Sequence, residues 1–274
     1  MTTEEKKQLS TLSTKIRMGA LTAIHSAKSG HPGGSLSIAE ILAYLYFKEM
    51  NVDPKNPKDE NRDRLVLSKG HTCPALYAAL AERGFFDVEL LKTFRHVGSI
   101  LQGHPDMKYI PGVDMSTGSL GQGISTACGI ALSAKLSGAT YRVYTIMGDG
   151  EQEEGQVWEA AMFAAHHKLN NLCVFVDFNG LQIDGNITEV LNPTPLDEKY
   201  RAFGFNVVVI DGHDFDQIEA ALAQAKESDK PTAIIAKCVK GRGVSFMENR
   251  YEWHGNAPND DQYNQAITEL SAML

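Results

Sequence analysis

Residues 141–150, YRVYTIMGDG, and residues 171–180, NLCVFVDFNG, decide the fold. Each is an apolar run rich in β-branched residues that closes on a polar residue beside glycine, Asp149 in the first and Asn179 in the second. Two later runs have the same form, FNVVVIDGHD at 205–214 and PTAIIAKCVKG at 231–241. Between them lie stretches of helical pattern: VWEAAMFAAHHKL (157–169), PLDEKYRAFG (195–204) and DQIEAALAQAKES (216–228). Unbroken apolar runs belong to strands buried on both faces, and intervening helices carry the chain back for a parallel neighbour. The expected fold class is therefore α/β, a parallel twisted sheet flanked by helices on both faces. The ligand crevice of such a sheet lies beyond the carboxyl ends of its strands, where Asp149, Asn179 and His213 all fall.

Upstream, the pattern is mostly helical over about residues 1–60. An amphipathic run from Glu4 to Lys28 ends at Ser29-Gly30, GHPGG (30–34) reads as a break, and SLSIAEILAYLYFKEM (35–50) supplies a second apolar stripe. The polar loop DPKNPKDENRD (53–63) precedes RLVLSKGH (64–71), a short buried strand leading into a turn, and then the helix CPALYAALAERG (73–84). With 274 residues, 43% hydrophobic and 22% charged, the chain has the composition of a globular protein with one large core, and a single domain over 1–274 is expected.

A net charge of −8 without dense basic runs excludes a nucleic-acid surface, so a small anionic ligand must be held by local donors. The amino terminus mixes acidic and basic residues before any apolar run, unlike a secretory signal or a membrane span, which makes the cytoplasm the expected location. Cys73, Cys128, Cys173 and Cys238 are widely spaced and read as buried reduced thiols.

Asp149 and Asn179 stand 30 residues apart, one βαβ unit, so both side chains can converge from neighbouring strand ends. A hard cation such as Mg²⁺ prefers oxygen ligands and completes its shell with phosphate and water. The Asp149 carboxylate, the Asn179 amide oxygen and the Leu181 backbone carbonyl are the candidate protein ligands. Gly150 can offer its N–H at the start of the following helix, where the dipole favours an anion. Taken singly, Gly-Asp-Gly is as readily a strand-ending turn and Asn179-Gly180 a β-turn.

GDGEQEEG (148–155) followed by LNNLCVFVDFNGLQIDG (169–185) resembles the thiamine diphosphate motif. SGHPGGSLS (29–37), LSKGHTCPALYA (67–78), GHPD (103–106), STGSLGQG (116–123) and WHGNAP (253–258) resemble, in order, segments of the amino-terminal half of transketolases. The resemblance covers nearly the whole chain and implies a thiamine diphosphate-binding fold of the diphosphate-binding type. It implies that His71, Gly150 and His254 contact the diphosphate and that Gly118 and Leu120 lie beside the cofactor. It places His31, His104 and His254 toward the sugar, with His104 near the donor's terminal hydroxyl and carbonyl. Gly121 and Gly123 serve equally well as helix-sheet packing glycines.

Imidazole suits such a site because it donates to an anion when protonated and relays a proton near neutral pH. His25, His96, His166 and His167 read as surface or satisfied core residues, and His213 stands at a strand end outside every matched segment. Lys240 and Arg242 are anion contacts by chemistry alone, with a solvated loop an equal reading, and Arg242 is left out of the expected site.

The resemblance stops where a full-length transketolase continues into its pyrimidine-binding domain, whose Glu makes the cofactor's aminopyrimidine basic. It therefore implies the amino-terminal subunit of a split transketolase, dependent on thiamine diphosphate and Mg²⁺ (or Ca²⁺ or Mn²⁺). The reaction implied is transfer of a two-carbon ketol unit from a ketose phosphate to an aldose phosphate. A carboxy-terminal subunit would supply the Glu, and two copies of each chain would form a heterotetramer; the sugar itself is left open between pentose phosphates and the unusual pentoses or sulfonated sugars of some split transketolases. Two alternatives share the metal pattern: the α chain of a 2-oxoacid dehydrogenase, or a relative of deoxyxylulose phosphate synthase. A third reading is a non-catalytic scaffold subunit, which predicts loss of the metal-binding residues.

Overall fold

A computed structural model describes residues 1–274. The chain begins with α1 (Thr3–Ala27), α2 (Pro32–Leu36) and α3 (Ala39–Tyr44), the last running into a π turn at Leu45–Glu49. Then come β1 (Arg64–Leu67), α4 (Cys73–Arg83), α5 (Gln122–Ser137), β2 (Val143–Gly148), α6 (Gly155–His166) and β3 (Leu172–Phe178). A small hairpin, β4 (Leu181–Gln182) and β5 (Gly185–Asn186), leads through α7 (Ile187–Val190) and α8 (Leu196–Ala202) to β6 (Asn206–Asp211). α9 (Phe215–Glu227), β7 (Thr232–Lys237) and α10 (Asp260–Ser271) complete the chain.

The five longer strands form one sheet in the order β1-β2-β3-β7-β6, every pairing parallel. The two-residue alternation of a strand explains the unbroken apolar runs. Along β2, Tyr144 and Ile146 face one core while Val143 and Met147 face another; along β3, Cys173 and Phe175 divide in the same way from Leu172, Val174 and Val176. α1, α3, α4 and α9 cover the first face, and α5, α6 and α8 cover the second.

That division follows from crossover handedness. The steps β1 to β2, β2 to β3 and β3 to β6 all move across the sheet in one direction, and α5, α6 and α8 lie on one face. The step β6 to β7 moves back, and its helix α9 lies on the other. The reversal leaves a crevice at the carboxyl ends of β3 and β7, flanked by the ends of β1 and β2.

The helices begin where local chemistry starts them. Thr2 and Glu5 form a capping box at α1, which stops at Lys28 in the left-handed conformation with φ of 50°. GHPGG is only partly a break: the interruption lies at Ser29 to His31, and Pro32 starts α2 as its first residue, where its missing N–H costs nothing. The second apolar stripe is not one helix either. It is interrupted at Ser37-Ile38, where the Ser37 hydroxyl lies 2.6 Å from Asp177 Oδ2. α10, capped by Asn259 and Gln262, coincides with none of the sequence motifs, and packs Ala266 and Leu270 against Leu21, Leu36, Val244 and Met247. No helix is long and apolar enough to cross a membrane.

Phe175 is fully buried on central strand β3. Phe175→Ala is expected to lower unfolding free energy by about 4 kcal/mol, read as a drop in the urea midpoint at unchanged slope.

Candidate functional site

A cavity of about 680 Å³ opens at the carboxyl ends of the strands. All ten residues expected in the site line it: His31, His71, His104, Gly118, Leu120, Asp149, Gly150, Asn179, Leu181 and His254. They arrive from seven separate stretches of chain, which the sheet topology brings to one edge.

Asp149 follows β2 directly and is buried. Its Oδ1 accepts from Gly150 N at 2.8 Å and its Oδ2 from Gly180 N at 2.6 Å, so the carboxylate ties the turn after β2 to the turn after β3. Burial, then the negative charge of Asp177, pushes the Asp149 carboxyl up. The Gly150 N–H is thus engaged within its own turn, and the chain makes one 3₁₀ turn at Gly150–Glu153 before α6 begins. Asn179 donates through Nδ2 to Asp177 Oδ2 at 2.9 Å, and its Oδ1 accepts from Leu181 N at 3.1 Å.

Lys240 is buried against this group, not solvated. Its Nζ donates to the Leu181 carbonyl at 2.7 Å and lies 3.0 Å from His254 Nδ1. Burial pushes the ammonium down, and the carboxylates of Asp149 and Asp177 oppose that shift. A second buried ammonium, Lys69, donates to Asp177 Oδ2 at 2.5 Å and to the Gly34 carbonyl at 3.1 Å. Arg242 does not line the cavity; it lies 3.6 Å from Glu248.

Glu151 braces the floor. It accepts from the Ser68 hydroxyl after β1, from Gly121 N at 2.8 Å at the start of α5, and from Gly148 N at 3.0 Å at the end of β2. Burial pushes its carboxyl up, against the pull of those hydrogen bonds. α5 can approach β1 this closely because Gly123 has no side chain, since a Cβ there would meet Ser68 Cα at 2.5 Å. The packing role is thereby assigned to Gly123.

Three imidazoles cluster above the floor, with ring centroids of His31 and His71 at 5.0 Å, His71 and His254 at 5.2 Å, and His31 and His254 at 5.6 Å. Burial, then the charge of Arg95, brings His31 down to about 4; burial, then Lys240, brings His254 down to about 3. Burial also holds His71 well below the usual imidazole range and lowers His104. These rings are therefore neutral near pH 7 and act as N–H donors or lone-pair acceptors, while Lys69 and Lys240 carry the positive charge. His31 Nδ1 is buried without a hydrogen-bond partner.

Residues 8–272 match the family described as transketolase, thiamine diphosphate binding domain. The chain belongs to the transketolase family. Among relatives of this transketolase-family chain is 6-deoxy-6-sulfo-D-fructose transketolase subunit SqwG of Clostridium sp. (strain MSTE9), 47% identical over 268 residues, covering 97% of this chain and 98% of that one. An apulose-4-phosphate transketolase subunit from Phocaeicola vulgatus is 41% identical, with 96% and 93% covered. The crystal structure of Campylobacter jejuni transketolase superposes with a TM-score of 0.91 at 35% identity, over 96% of this chain and 43% of that one. The chain thus spans nearly the whole of the subunit-length transketolases and less than half of the crystallised one. The family match makes residues 8–272 a thiamine diphosphate-binding domain.

Sequence reasoning missed Lys69, Asp177 and Glu151 in this transketolase-family site. The available signal was a charged residue closing an otherwise apolar strand, as in VFVDFNG and LVLSKGH. Removing Glu151 strips an acceptor from the Ser68 hydroxyl and from two backbone N–H groups, so Glu151→Ala is expected to cost about 3 kcal/mol of stability in urea unfolding, and Glu151→Gln less.

Proposed function

We propose that this chain is the cofactor-holding amino-terminal subunit of a split transketolase, transferring a two-carbon ketol unit from a ketose phosphate to an aldose phosphate. The observation that carries this reading is the convergence of all ten expected residues on one cavity at the strand ends. The subunit-length relatives named as transketolase subunits support the split arrangement. The 274 residues act as one cofactor-binding domain.

The donor set suits a hard divalent cation. Residues bearing one carboxylate, one amide oxygen and one backbone carbonyl line the cavity, and the Leu181 carbonyl already holds a cation, the Lys240 ammonium at 2.7 Å. Asp149, Asn179 and Leu181 would hold Mg²⁺, with Ca²⁺ or Mn²⁺ as substitutes, against the diphosphate of thiamine diphosphate. When bound, that cofactor supplies an electron sink for carbon–carbon bond cleavage. His71 and His254, neutral rings lining the cavity, would donate N–H to diphosphate oxygens, and Gly118 and Leu120 would form the wall beside the cofactor. His31 and His104 are the candidate donors and acceptors to sugar hydroxyls, and neutrality lets each take either role.

The partner is a carboxy-terminal subunit bearing the pyrimidine-binding domain and its Glu. Ile183 and Leu191, each 59% exposed, line the cavity mouth and leave an apolar rim for another protein surface to cover. Two copies of each chain would form a heterotetramer with two sites. The four free thiols agree with a reducing, cytoplasmic setting. Substrates are sugar phosphates of the pentose phosphate type, or a sulfonated sugar in place of one, as relatives are named for apulose-4-phosphate and for 6-deoxy-6-sulfo-D-fructose.

Calorimetric titration of the reconstituted pair with thiamine diphosphate is expected to show Mg²⁺-dependent binding. Asp149→Ala should weaken it by more than the roughly 10–100-fold that loss of a metal's outer supporting group costs, with the chain still folded. Absence of binding by the parent pair would reject the reading. His104→Ala is expected to lower donor-sugar kcat/KM by about a hundredfold while cofactor affinity changes little; the reverse pattern would move His104 to the diphosphate.

A further inference from the structure

Behind the cavity floor lies a second buried polar group. Arg17 on α1, Glu40 on α3 and His213 after β6 form a chain: Arg17 Nη2 is 2.5 Å from Glu40 Oε2, and His213 Nδ1 is 3.0 Å from the same oxygen. Their side chains are 1%, 9% and 10% exposed. Arg17 is further anchored through Nε to the Leu36 carbonyl at 3.1 Å. On its other side, His213 Nε2 accepts from the backbone N–H of Val239 at 2.8 Å.

That last contact fixes the chemistry of the ring. A backbone N–H only donates, so Nε2 must carry the lone pair and Nδ1 the proton, which points at Glu40. Burial pushes the Glu40 carboxyl up, but the charge of Arg17 and the hydrogen bonds from His213 and Arg17 bring it down to about 2, so it stays an ionised acceptor. The imidazole is thus pinned in one tautomer and one orientation from both sides.

Val239 immediately precedes Lys240, whose ammonium reaches the Leu181 carbonyl and His254. Beyond β7 the chain leaves the sheet ladder, and the backbone N–H before Lys240 has His213 as its partner. We propose that His213, oriented by the Glu40–Arg17 pair, is a positioning residue that fixes the backbone before Lys240 and so sets where the site's ammonium lies. The inference rests on the cofactor reading of the cavity only for its consequence, not for the geometry of the relay.

The test uses the reconstituted pair, with His213→Leu and His213→Gln compared with the parent. Leu keeps Glu40 paired with Arg17 but removes the acceptor facing Val239, whereas the Gln amide oxygen can replace it. Hydrogen exchange at the Val239 amide is expected to accelerate at least tenfold in His213→Leu and to recover in His213→Gln. Thiamine diphosphate affinity in the presence of Mg²⁺ is expected to fall about tenfold in His213→Leu, the scale on which supporting groups act at metal sites, and to be restored by Gln. In the parent, ¹⁵N shifts of His213 should report a protonated Nδ1 and a bare Nε2. Unchanged Val239 exchange in His213→Leu, or a protonated Nε2, would overturn the proposal even if the parent binds cofactor. A parent that binds no cofactor would reject the cavity's reading while Val239 exchange still decides the relay.

Discussion

A single buried carboxylate holds the floor together. Asp177, at the end of β3, has no exposed surface, and its Oδ2 meets Lys69 Nζ, the Ser37 hydroxyl and Asn179 Nδ2. Burial raises its carboxyl, yet Lys69 and the hydrogen bonds from Lys69, Ser37 and Asn179 outweigh that penalty and hold it below the usual range. A buried charge is tolerable only with such partners, and losing one leaves the other uncompensated. The constraint is geometric as well as energetic. It ties the turn after β1, the helix break at Ser37 and the turn after β3 to one point, and the residues around the cavity inherit their spacing from it.

The ion pairs behind that point follow the same rule at different depths. Lys69 with Asp177, and Arg17 with Glu40, are enclosed by helices of the first face and strands of the sheet. Glu151 has the corresponding role on the second face, joining β1, β2 and α5 through hydrogen bonds instead of an ion pair. The imidazoles stand above this charged layer. Buried beside the cationic Lys240, they lose their own charge and become neutral polar groups that can donate or accept.

Much of this was legible in the amino-acid order because parallel strands buried on both faces must be apolar throughout, so their polar ends stand out. Asp149 and Asn179 were visible for that reason, and the histidines were visible because each sits in a glycine turn matching a family segment. Asp177 and Lys69 were hidden by the same logic. They lie one or two positions inside or beyond an apolar run, and nothing local says that a lysine from one strand meets a carboxylate from another more than a hundred residues away. Lys240 was ambiguous because a lysine among glycines usually faces water; only the packing of the loop after β7 over the hairpin buries it. His213 needed the fold to bring Glu40 beside it. The helical start within GHPGG was obscured because two glycines argue against a helix, and the packing that favours it is tertiary.

The Lys240 ammonium on the Leu181 carbonyl changes what occupancy of this cavity means. A cation taking that carbonyl enters by exchange with one that is covalently tethered and cannot be diluted away, so its local concentration far exceeds that of any free ion. A free monovalent ion offers the carbonyl no more charge than the ammonium it would displace. A divalent ion arriving with a polyanion offers more, and it also gives the displaced ammonium a new negative partner. On the proposed cofactor reading, the tethered lysine would act as a counter-ion on standby, setting a threshold that favours joint arrival of metal and diphosphate over either alone.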